Sequence, residues 1–241
     1  MESLYDQDLA YIHAAGFGGL AQGAAPEIVR LLKSAAIPVR GIVDAGCGAG
    51  TLAARLVEAG FEVTGIDSSA DLLAIARTAV PGARFVNASI YDADVPPCEA
   101  MVALGEPLTY HSEEADADSL VQSVFRRASG ILPAGGMLIF DVIETGEPTL
   151  AGRAWASGED WAVLVHTSED QAARTLVRSI ETFRRVGQLY RRGRAIHRIR
   201  VFDTGELAGA LAACGFAVET AQAYGSQRLA PRRRAFFCTR R

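Results

Sequence analysis

Hydrophobic residues recur along residues 1–143 in two patterns, a helical spacing and short continuous runs. Continuous runs bounded by Gly, Pro or Asp predict buried strands, and the helically spaced stretches between them predict amphipathic helices. Strands are predicted at residues 41–44, 61–66, 84–87, 99–104 and 137–142, and helices at 26–36, 51–60, 72–78 and 113–129. Because strands and helices alternate, the pattern predicts a parallel sheet covered by helices on both faces.

The pattern changes after residue 143, where long alternating stretches replace the helices. Alternating segments at 161–166, 175–185 and 189–201 predict antiparallel strands, the last two joined by a turn near Gly187. A helix at 204–214 and strands at 216–220 and 234–239 follow. Residues 145–202 are therefore predicted to form an antiparallel insertion, after which one helix and two strands complete the sheet.

The junction between the first strand and the next helix carries the most informative motif. Asp44 ends the strand, and Gly46, Gly48 and Gly50 follow at alternate positions. Glycine is needed where a turn takes a positive φ or where a ligand approaches the backbone. A second acid, Asp67, ends the next strand, seventeen residues past Gly50. A nucleotide-binding βαβ unit places its ribose-binding carboxylate there.

The details of this turn distinguish between its potential ligands. A dinucleotide site has a third glycine three residues after the second, and Thr51 stands there instead. Asp44 would repel a pyrophosphate but suits the ammonium group of an amino-acid tail. At these residues the chain resembles the class I S-adenosylmethionine-dependent methyltransferases, whose first motif has the form Asp-x-Gly-x-Gly-x-Gly. A glycine-rich turn without a ligand is the alternative, and Thr51 disfavours a nicotinamide enzyme.

The resemblance implies an α/β fold, with a Rossmann-like doubly wound seven-stranded sheet and an antiparallel β insertion after the fifth strand. It implies a single methyltransferase domain over residues 1–241. Within it, the expected parts are an N-terminal helical lid (1–36), a cofactor-binding core (41–143), the insertion as a substrate cap (145–202), and a last helix with a strand pair (203–241).

The resemblance also implies which residues hold the cofactor, S-adenosylmethionine. Asp44 and the glycines surround its methionine part, and Asp67 accepts both ribose hydroxyls. Many relatives have an acid facing the adenine amino group where this chain has Ser89, so the Ser89 hydroxyl and a backbone amide are expected there. The expected cofactor contacts are Asp44, Gly46, Cys47, Gly48, Gly50, Asp67, Ser68, Ser89, Ile90, Leu104, Gly105 and Tyr5.

Candidates for catalysis come from the loop after the fourth strand and from the N-terminal segment. Open α/β sheets bind ligands at the carboxyl ends of their strands, which places Gly105, Glu106 and Tyr110 near the sulfonium. Residues 5–17 have helical spacing, and in similar small-molecule methyltransferases such a segment covers the cofactor. For these residues, ordinary packing or a solvated carboxylate is the alternative. The candidate catalytic residues are Glu106, Tyr110, His111 and His13. The candidates for the lid are Tyr5, Tyr11 and His13. Two further histidines that could act as bases are His166 and His197.

The amino-acid composition indicates the size of the domain and the compartment in which the protein is expected. The 241 residues are 49% hydrophobic, which is enough for one domain with a substantial core. Four widely separated cysteines form no Cys-x-x-Cys pair, which favours a reducing compartment and argues against a metal site. The N-terminus lacks a signal pattern, and no run approaches the roughly 18 apolar residues of a membrane span. A cytoplasmic protein without membrane contact is expected.

Arginines concentrate in the predicted insertion, where nine lie between Arg174 and Arg200 and Glu181 is the only acid. Such a cluster of arginines is a binding surface for nucleic-acid phosphates, the solvent-facing side of a hairpin, or a site for a substrate carboxylate. The net charge of −4 and the lack of interleaved aromatic residues favour the solvent-facing side. We therefore predict methyl transfer to N, O or C of a small-molecule acceptor. The alternative functions are an RNA methyltransferase and a non-catalytic S-adenosylmethionine-binding interaction protein. The oligomeric state is left open, with a homodimer as one alternative.

Overall fold

The structure is a computed structural model and describes residues 5–111 and 116–241. Six α-helices lie in these residues: α1 (Gln7–Gly16), α2 (Gly19–Lys33), α3 (Thr51–Glu58), α4 (Ala70–Ala79), α5 (Ala117–Ile131) and α6 (Thr204–Ala213). The strands of the described part are β1 (Gly41–Ala45), β2 (Glu62–Asp67), β3 (Arg84–Asn87), β4 (Ala100–Ala103), β5 (Met137–Ile143), β6 (Gly152–Ser157), β7 (Trp161–Asp170), β8 (Thr175–Val186), β9 (Leu189–Arg200), β10 (Phe216–Ala221), β11 (Ala223–Tyr224), β12 (Gln227–Arg228) and β13 (Arg233–Arg240).

Seven strands form the central sheet, in the order β10-β13-β5-β4-β1-β2-β3. Strands β1 to β5 are parallel, and β13 runs antiparallel to both of its neighbours. The predicted doubly wound sheet is confirmed, including the antiparallel insertion after β5. The strand order reverses between β1 and β4, and ligands bind at the carboxyl ends of strands that flank such a switch point.

Apolar packing on both faces of the sheet explains why it forms. Every residue of β5 is buried. On one face the ring of Phe140 stacks on that of Phe236, with centroids 4.8 Å apart. On the other face Ile139 packs with Ile28 of α2 and Leu56 of α3. Each fully buried side chain of this kind contributes about 1.5–3 kcal/mol.

The insertion is a separate four-stranded antiparallel sheet, β6-β7-β8-β9. Its inner face buries Val163 and Ile180, which pack with Leu9 and Ile12 of α1. On its outer face Trp155 is 77% exposed. The insertion and the N-terminal helix therefore share a small apolar core of their own. Among the helices of the described residues, none is both long and apolar enough to cross a membrane.

The helix expected at 26–36 begins earlier, at Gly19, so the prediction that Pro26 opens it was wrong. Proline inside a helix removes one backbone hydrogen bond. The apolar face formed by Ala25, Ile28 and Leu32 is buried on both sides of this position, and that burial offsets the lost bond.

Two parts of the strand pattern were missed, and one expected helix start cannot be compared. Strand β6 is almost wholly exposed, so its sequence shows no alternation between buried and exposed positions. The short β11-β12 hairpin was also not predicted. The helix start expected at residue 113 lies in 112–115, outside the described residues. In the described residues α5 begins at Ala117, with the Asp116 side chain as its cap, and it ends two residues later than predicted.

Candidate functional site

The glycine turn between β1 and α3 has the backbone shape that its sequence predicts. Gly46, Gly48 and Gly50 have φ values of 73°, 54° and 82°, in the left-handed region that favours glycine. A Cβ atom on Gly46 would overlap the ring of Pro107. The turn therefore lies against the loop that follows β4. Cys47 is buried in the same turn.

Asp67 lies at the end of β2 and faces this turn. Its Oδ2 accepts a hydrogen bond from the Gly48 amide at 2.9 Å, and its Oδ1 accepts one from the Ser69 amide at 2.8 Å. Burial raises the pKa of Asp67, and these two hydrogen bonds oppose the rise. Each carboxylate oxygen retains an acceptor site, so the group can bind a pair of hydroxyls. The neighbouring Ser68 is exposed.

Asp44 lies beneath the turn and is only 2% exposed. Within the described residues its Oδ2 has no hydrogen-bond partner. Burial, followed by the negative charge of Asp67, raises the pKa of Asp44 to about 7. A buried carboxylate without a counter-charge is unfavourable. A ligand ammonium group would supply that charge, so these residues fit the amino-acid tail of S-adenosylmethionine.

The residues expected at the adenine end follow β3. The Asn87 side chain donates to the carbonyls of Asp67 and Ser68, at 3.0 Å each, and so ties the ends of β2 and β3 together. The Ser89 hydroxyl accepts from the Tyr91 amide at 3.2 Å and still has its own hydrogen to donate. Ile90 is buried in the core below. Ser89 thus lies at the same edge of the sheet as Asp67.

The loop after β4 is held by charged side chains. Gly105 and Glu106 both have positive φ, and the Gly105 amide donates to Asp141 Oδ1 at 2.8 Å. The Glu106 carboxylate is buried, contacts Arg178 Nη1 at 3.2 Å and pairs with Arg233. Two guanidinium groups stabilise the ionised form of a carboxylate. This geometry favours a structural ion pair over a proton acceptor for Glu106. The preceding residue, Leu104, is half-buried against the core.

Four ring side chains from distant parts of the chain meet beside this loop. His197, buried on the inner face of β9, lies 5.1 Å from the Tyr5 ring and 5.4 Å from the Tyr110 ring, measured between centroids. The Tyr5 ring lies 5.2 Å from that of His13. Burial, and then the charge of His197, lowers the pKa of His13. His13 is therefore mainly neutral near pH 7. We call these four residues the ring cluster.

The N-terminal segment lies over the glycine turn. The Ser69 hydroxyl donates to the Tyr5 carbonyl at 3.1 Å. His13 Cε1 is 3.9 Å from the position that a Cβ on Gly48 would take. Tyr11, by contrast, donates to Asp160 at 2.9 Å and joins α1 to the insertion.

The other two candidate histidines lie outside the ring cluster. The His111 amide donates to the Arg198 carbonyl at 3.4 Å, so this residue joins the loop to the edge of β9. His166 is exposed, on the outer face of β7. The structure therefore brings together Tyr5, His13, Tyr110 and His197 and separates His166 from them.

Three residues near the loop were missed by sequence reasoning. Asp141 is fully buried in β5, and burial raises its pKa to about 7. The Tyr224 hydroxyl donates to its Oδ1 at 3.3 Å, and Arg233 Nε lies 3.4 Å from its Oδ2. One signal was present in the sequence, because Asp141 is the only charged residue in an otherwise apolar strand. A carboxylate in that position requires polar partners.

Comparisons with known proteins agree with this geometry. The methyltransferase domain family matches residues 42–130. A Bacillus subtilis (strain 168) protein named "Putative methyltransferase YqeM" is 28% identical over 194 residues, 76% of each chain. The crystal structure of an S-adenosylmethionine-dependent methyltransferase from Clostridium acetobutylicum ATCC 824 has a TM-score of 0.80 at 16% identity, covering 96% of this chain and 97% of that one. S-adenosylmethionine-bound CalS10, an amino pentose methyltransferase from Micromonospora echinaspora, has a TM-score of 0.76 at 19% identity, covering 100% of both chains.

The sheet order, the glycine turn and the two acids at the ends of β1 and β2 are those expected of a class I methyltransferase. Together with the match over residues 42–130 and the similar proteins, they support an enzyme of the class I S-adenosylmethionine-dependent type, with S-adenosylmethionine as its cofactor.

Proposed function

We propose that this enzyme methylates N, O or C of a small-molecule acceptor, which binds beside the ring cluster, near the carboxyl ends of β1 and β4. The ring cluster is the observation that carries the proposal. It joins the N-terminal segment, the loop after β4 and strand β9 beside the glycine turn. A site enclosed by three parts of the chain suits a small acceptor better than a polymer.

The cofactor contacts that the sequence implies form the first part of this proposal. Asp44 faces the ammonium group, because it is a buried acid whose Oδ2 has no partner within the described residues. Asp67 accepts the ribose hydroxyls through its remaining lone pairs. Cys47, Ser68, Ser89 and Ile90 line the adenosine part, while Leu104, Gly105 and Tyr5 lie toward the sulfur.

The chemistry requires positioning more than it requires a strong base. When bound, S-adenosylmethionine supplies a methyl group whose bond to sulfur breaks as the acceptor's lone pair forms a new bond to carbon. Holding the reactants in line can lower the barrier by about 7–11 kcal/mol, whereas a general base adds about 10²- to 10⁴-fold. In this proposal, neutral His13 is the group that accepts a proton from an acceptor ammonium or hydroxyl group. Tyr110 shapes the site, since burial raises the pKa of its phenol and keeps it protonated.

The ion pairs made by the arginines of the insertion favour a small molecule over RNA as the methyl acceptor. On the inner face Arg178 pairs with Glu106, and Arg184 and Arg191 pair with Asp8. The exposed arginines also have carboxylate partners: Arg185 with Glu159 at 3.8 Å, and Arg192 and Arg194 with Glu181 at 2.7 and 3.4 Å. Arginines that are already paired offer little to phosphates. CalS10, which shares this fold, is by name an amino pentose methyltransferase.

Two measurements test the proposal. S-adenosylhomocysteine should raise the melting temperature, with about 2.7 kcal/mol of stabilisation at a hundredfold excess over Kd, and NAD should not. Radiolabelled methyl transfer should then be measured against amino sugars, other small amines and alcohols, with total RNA as a parallel acceptor. Transfer to RNA alone would refute the small-molecule proposal, and stabilisation by NAD alone would refute the cofactor site.

A further inference from the structure

Arg178 occupies an unusual position, because it belongs to the insertion but its guanidinium group lies at the loop after β4. Its Nη1 and Nη2 lie 3.2 and 3.5 Å from the two carboxylate oxygens of Glu106. Glu106 is 2% exposed, and Arg178 stands opposite His197 in the register of β8 and β9. The pair therefore links the inner face of the insertion to the cofactor side of the central sheet.

The loop that receives this contact has little freedom of its own. Gly105 and Glu106 both have left-handed backbone angles, which are unfavourable for the glutamate unless its surroundings hold it. Asp141 holds the Gly105 amide from β5, and Arg233 contacts both Asp141 and Glu106 from β13. These two anchors, Asp141 and Arg233, are in the central sheet. Arg178 is the anchor from the insertion.

The shape of this loop matters for the glycine turn. Pro107 directly follows Glu106 and packs against Gly46 so closely that a Cβ there would overlap it. A shift of Glu106 therefore moves the wall of the turn that faces the cofactor. Because the Arg178 guanidinium is planar and contacts both oxygens, it fixes the orientation of the carboxylate as well as its charge.

We propose that Arg178 is a positioning residue of the cofactor site. It acts through Glu106 on the loop from Leu104 to Pro107, and it thereby couples the position of the insertion to cofactor binding. This inference rests on the cofactor site proposed above. Coupling is reciprocal: if the insertion in place favours S-adenosylmethionine, then the bound cofactor stabilises the insertion by the same factor. Arg178 then transmits a signal between the two ligand-binding parts of the enzyme.

The test uses the full chain and S-adenosylhomocysteine as the probe, and it does not require a known acceptor. Calorimetry of Arg178→Gln should show binding weakened about tenfold, within the usual range of coupling energies. In the wild type, S-adenosylhomocysteine should slow amide hydrogen exchange in β8 and β9, and this protection should be lost in Arg178→Gln. Arg192→Gln is the matched control, since it removes an insertion arginine that pairs with Glu181 on the outer face, and it should retain both properties.

Two further variants separate positioning from simple loss of stability. Arg178→Lys keeps the charge without the planar contact, so it should fold like the wild type and recover only part of the affinity. In a double-mutant cycle with Glu106→Gln, the second substitution should add little to the first. Wild-type affinity and protection in a folded Arg178→Gln protein, or additive effects in the cycle, would overturn the proposal. A wild type that does not bind the probe would instead refute the cofactor site itself.

Discussion

At the scale of single residues, the proposed cofactor site contains two carboxylates in different surroundings, at the ends of the neighbouring strands β1 and β2. Asp67 has two amide donors and is already positioned for further hydrogen bonds. Asp44 lacks a partner for one oxygen within the described residues and has a pKa raised to about 7. In the proposed site, Asp67 is therefore the acceptor for neutral hydroxyls and Asp44 is the partner of a cation.

Replacing Asp67 with alanine should weaken cofactor binding at least tenfold. The substitution removes charge-assisted hydrogen bonds worth about 1.5–3 kcal/mol each, and it leaves the apolar core below intact. Calorimetric titration with S-adenosylhomocysteine measures the loss, and circular dichroism checks the fold. An unchanged Kd in a well-folded Asp67→Ala protein would show that the ribose is held elsewhere.

Asp44 should make cofactor binding depend on pH. If binding requires its ionised form, affinity for S-adenosylmethionine should rise roughly eightfold between about pH 6 and about pH 7.5. The ligand-free protein should lose stability between about pH 4 and about pH 7. Its folded state binds the Asp44 proton more tightly than the unfolded state does, so this contribution decreases as the pH rises from about 4 to about 7.

The matched variant for this pH dependence is Asp44→Asn, which is nearly the same size but cannot ionise. Its affinity should be low and its pH profile flatter, with a residual slope from Asp141, whose pKa is also raised to about 7. Titrating each protein with S-adenosylmethionine at four pH values would measure both profiles. An equally steep profile in Asp44→Asn would assign the pH dependence to another group.

At the scale of secondary-structure elements, α1 is attached to the insertion by one buried charge and an apolar face. Asp8 is 6% exposed and pairs with Arg184 and Arg191 of the insertion. Leu9 and Ile12 supply the apolar contacts. The helix is thus fixed to the insertion, and the insertion in turn lies over the site.

If α1 covers the cofactor, Asp8→Asn should weaken S-adenosylhomocysteine binding several-fold, since it leaves two arginines without their shared partner. Asp118→Asn is the control, because Asp118 also pairs with an insertion arginine, Arg200, but does so from α5. Limited trypsin digestion with and without ligand would report the attachment of the helix. Equal affinities in the two variants would remove the case for a covering role.

The elements also show what local sequence can and cannot predict. The buried strands and the capped helix α4 agree with prediction to within two residues, because burial pattern and the Ser69 cap are local signals. The start of α2 was missed because Gly18 makes no side-chain cap there. Contacts such as Arg178 with Glu106, 72 residues apart in sequence, leave no local signal and need the fold.

At the scale of the whole molecule, charge is unevenly placed but largely compensated. The net charge is −4, although the insertion is rich in arginine. The six arginines from Arg178 to Arg194 each have a carboxylate within ion-pair distance. A surface of this kind has little free positive potential with which to attract a polyanion.

We therefore expect no appreciable RNA binding near physiological salt. Filter binding over a salt series is the appropriate measurement, because a phosphate track would lose affinity steeply as salt rises. Replacing Arg185, Arg192 and Arg194 with glutamine should leave cofactor affinity unchanged. Submicromolar RNA affinity with a strong salt dependence, abolished by that triple substitution, would favour the RNA methyltransferase alternative.

The place of β13 in the sheet has a consequence for the order in which the protein folds. This strand comes last along the chain, yet it lies between β5 and β10 and pairs with both. Until residues 233–240 are available, the apolar strand β5 presents an open edge, and open apolar edges are prone to pair with other chains. The same strand brings Arg233 to Glu106 and Asp141. Pairing of β13 therefore closes the sheet and completes the charged cluster at the loop after β4 in the same step.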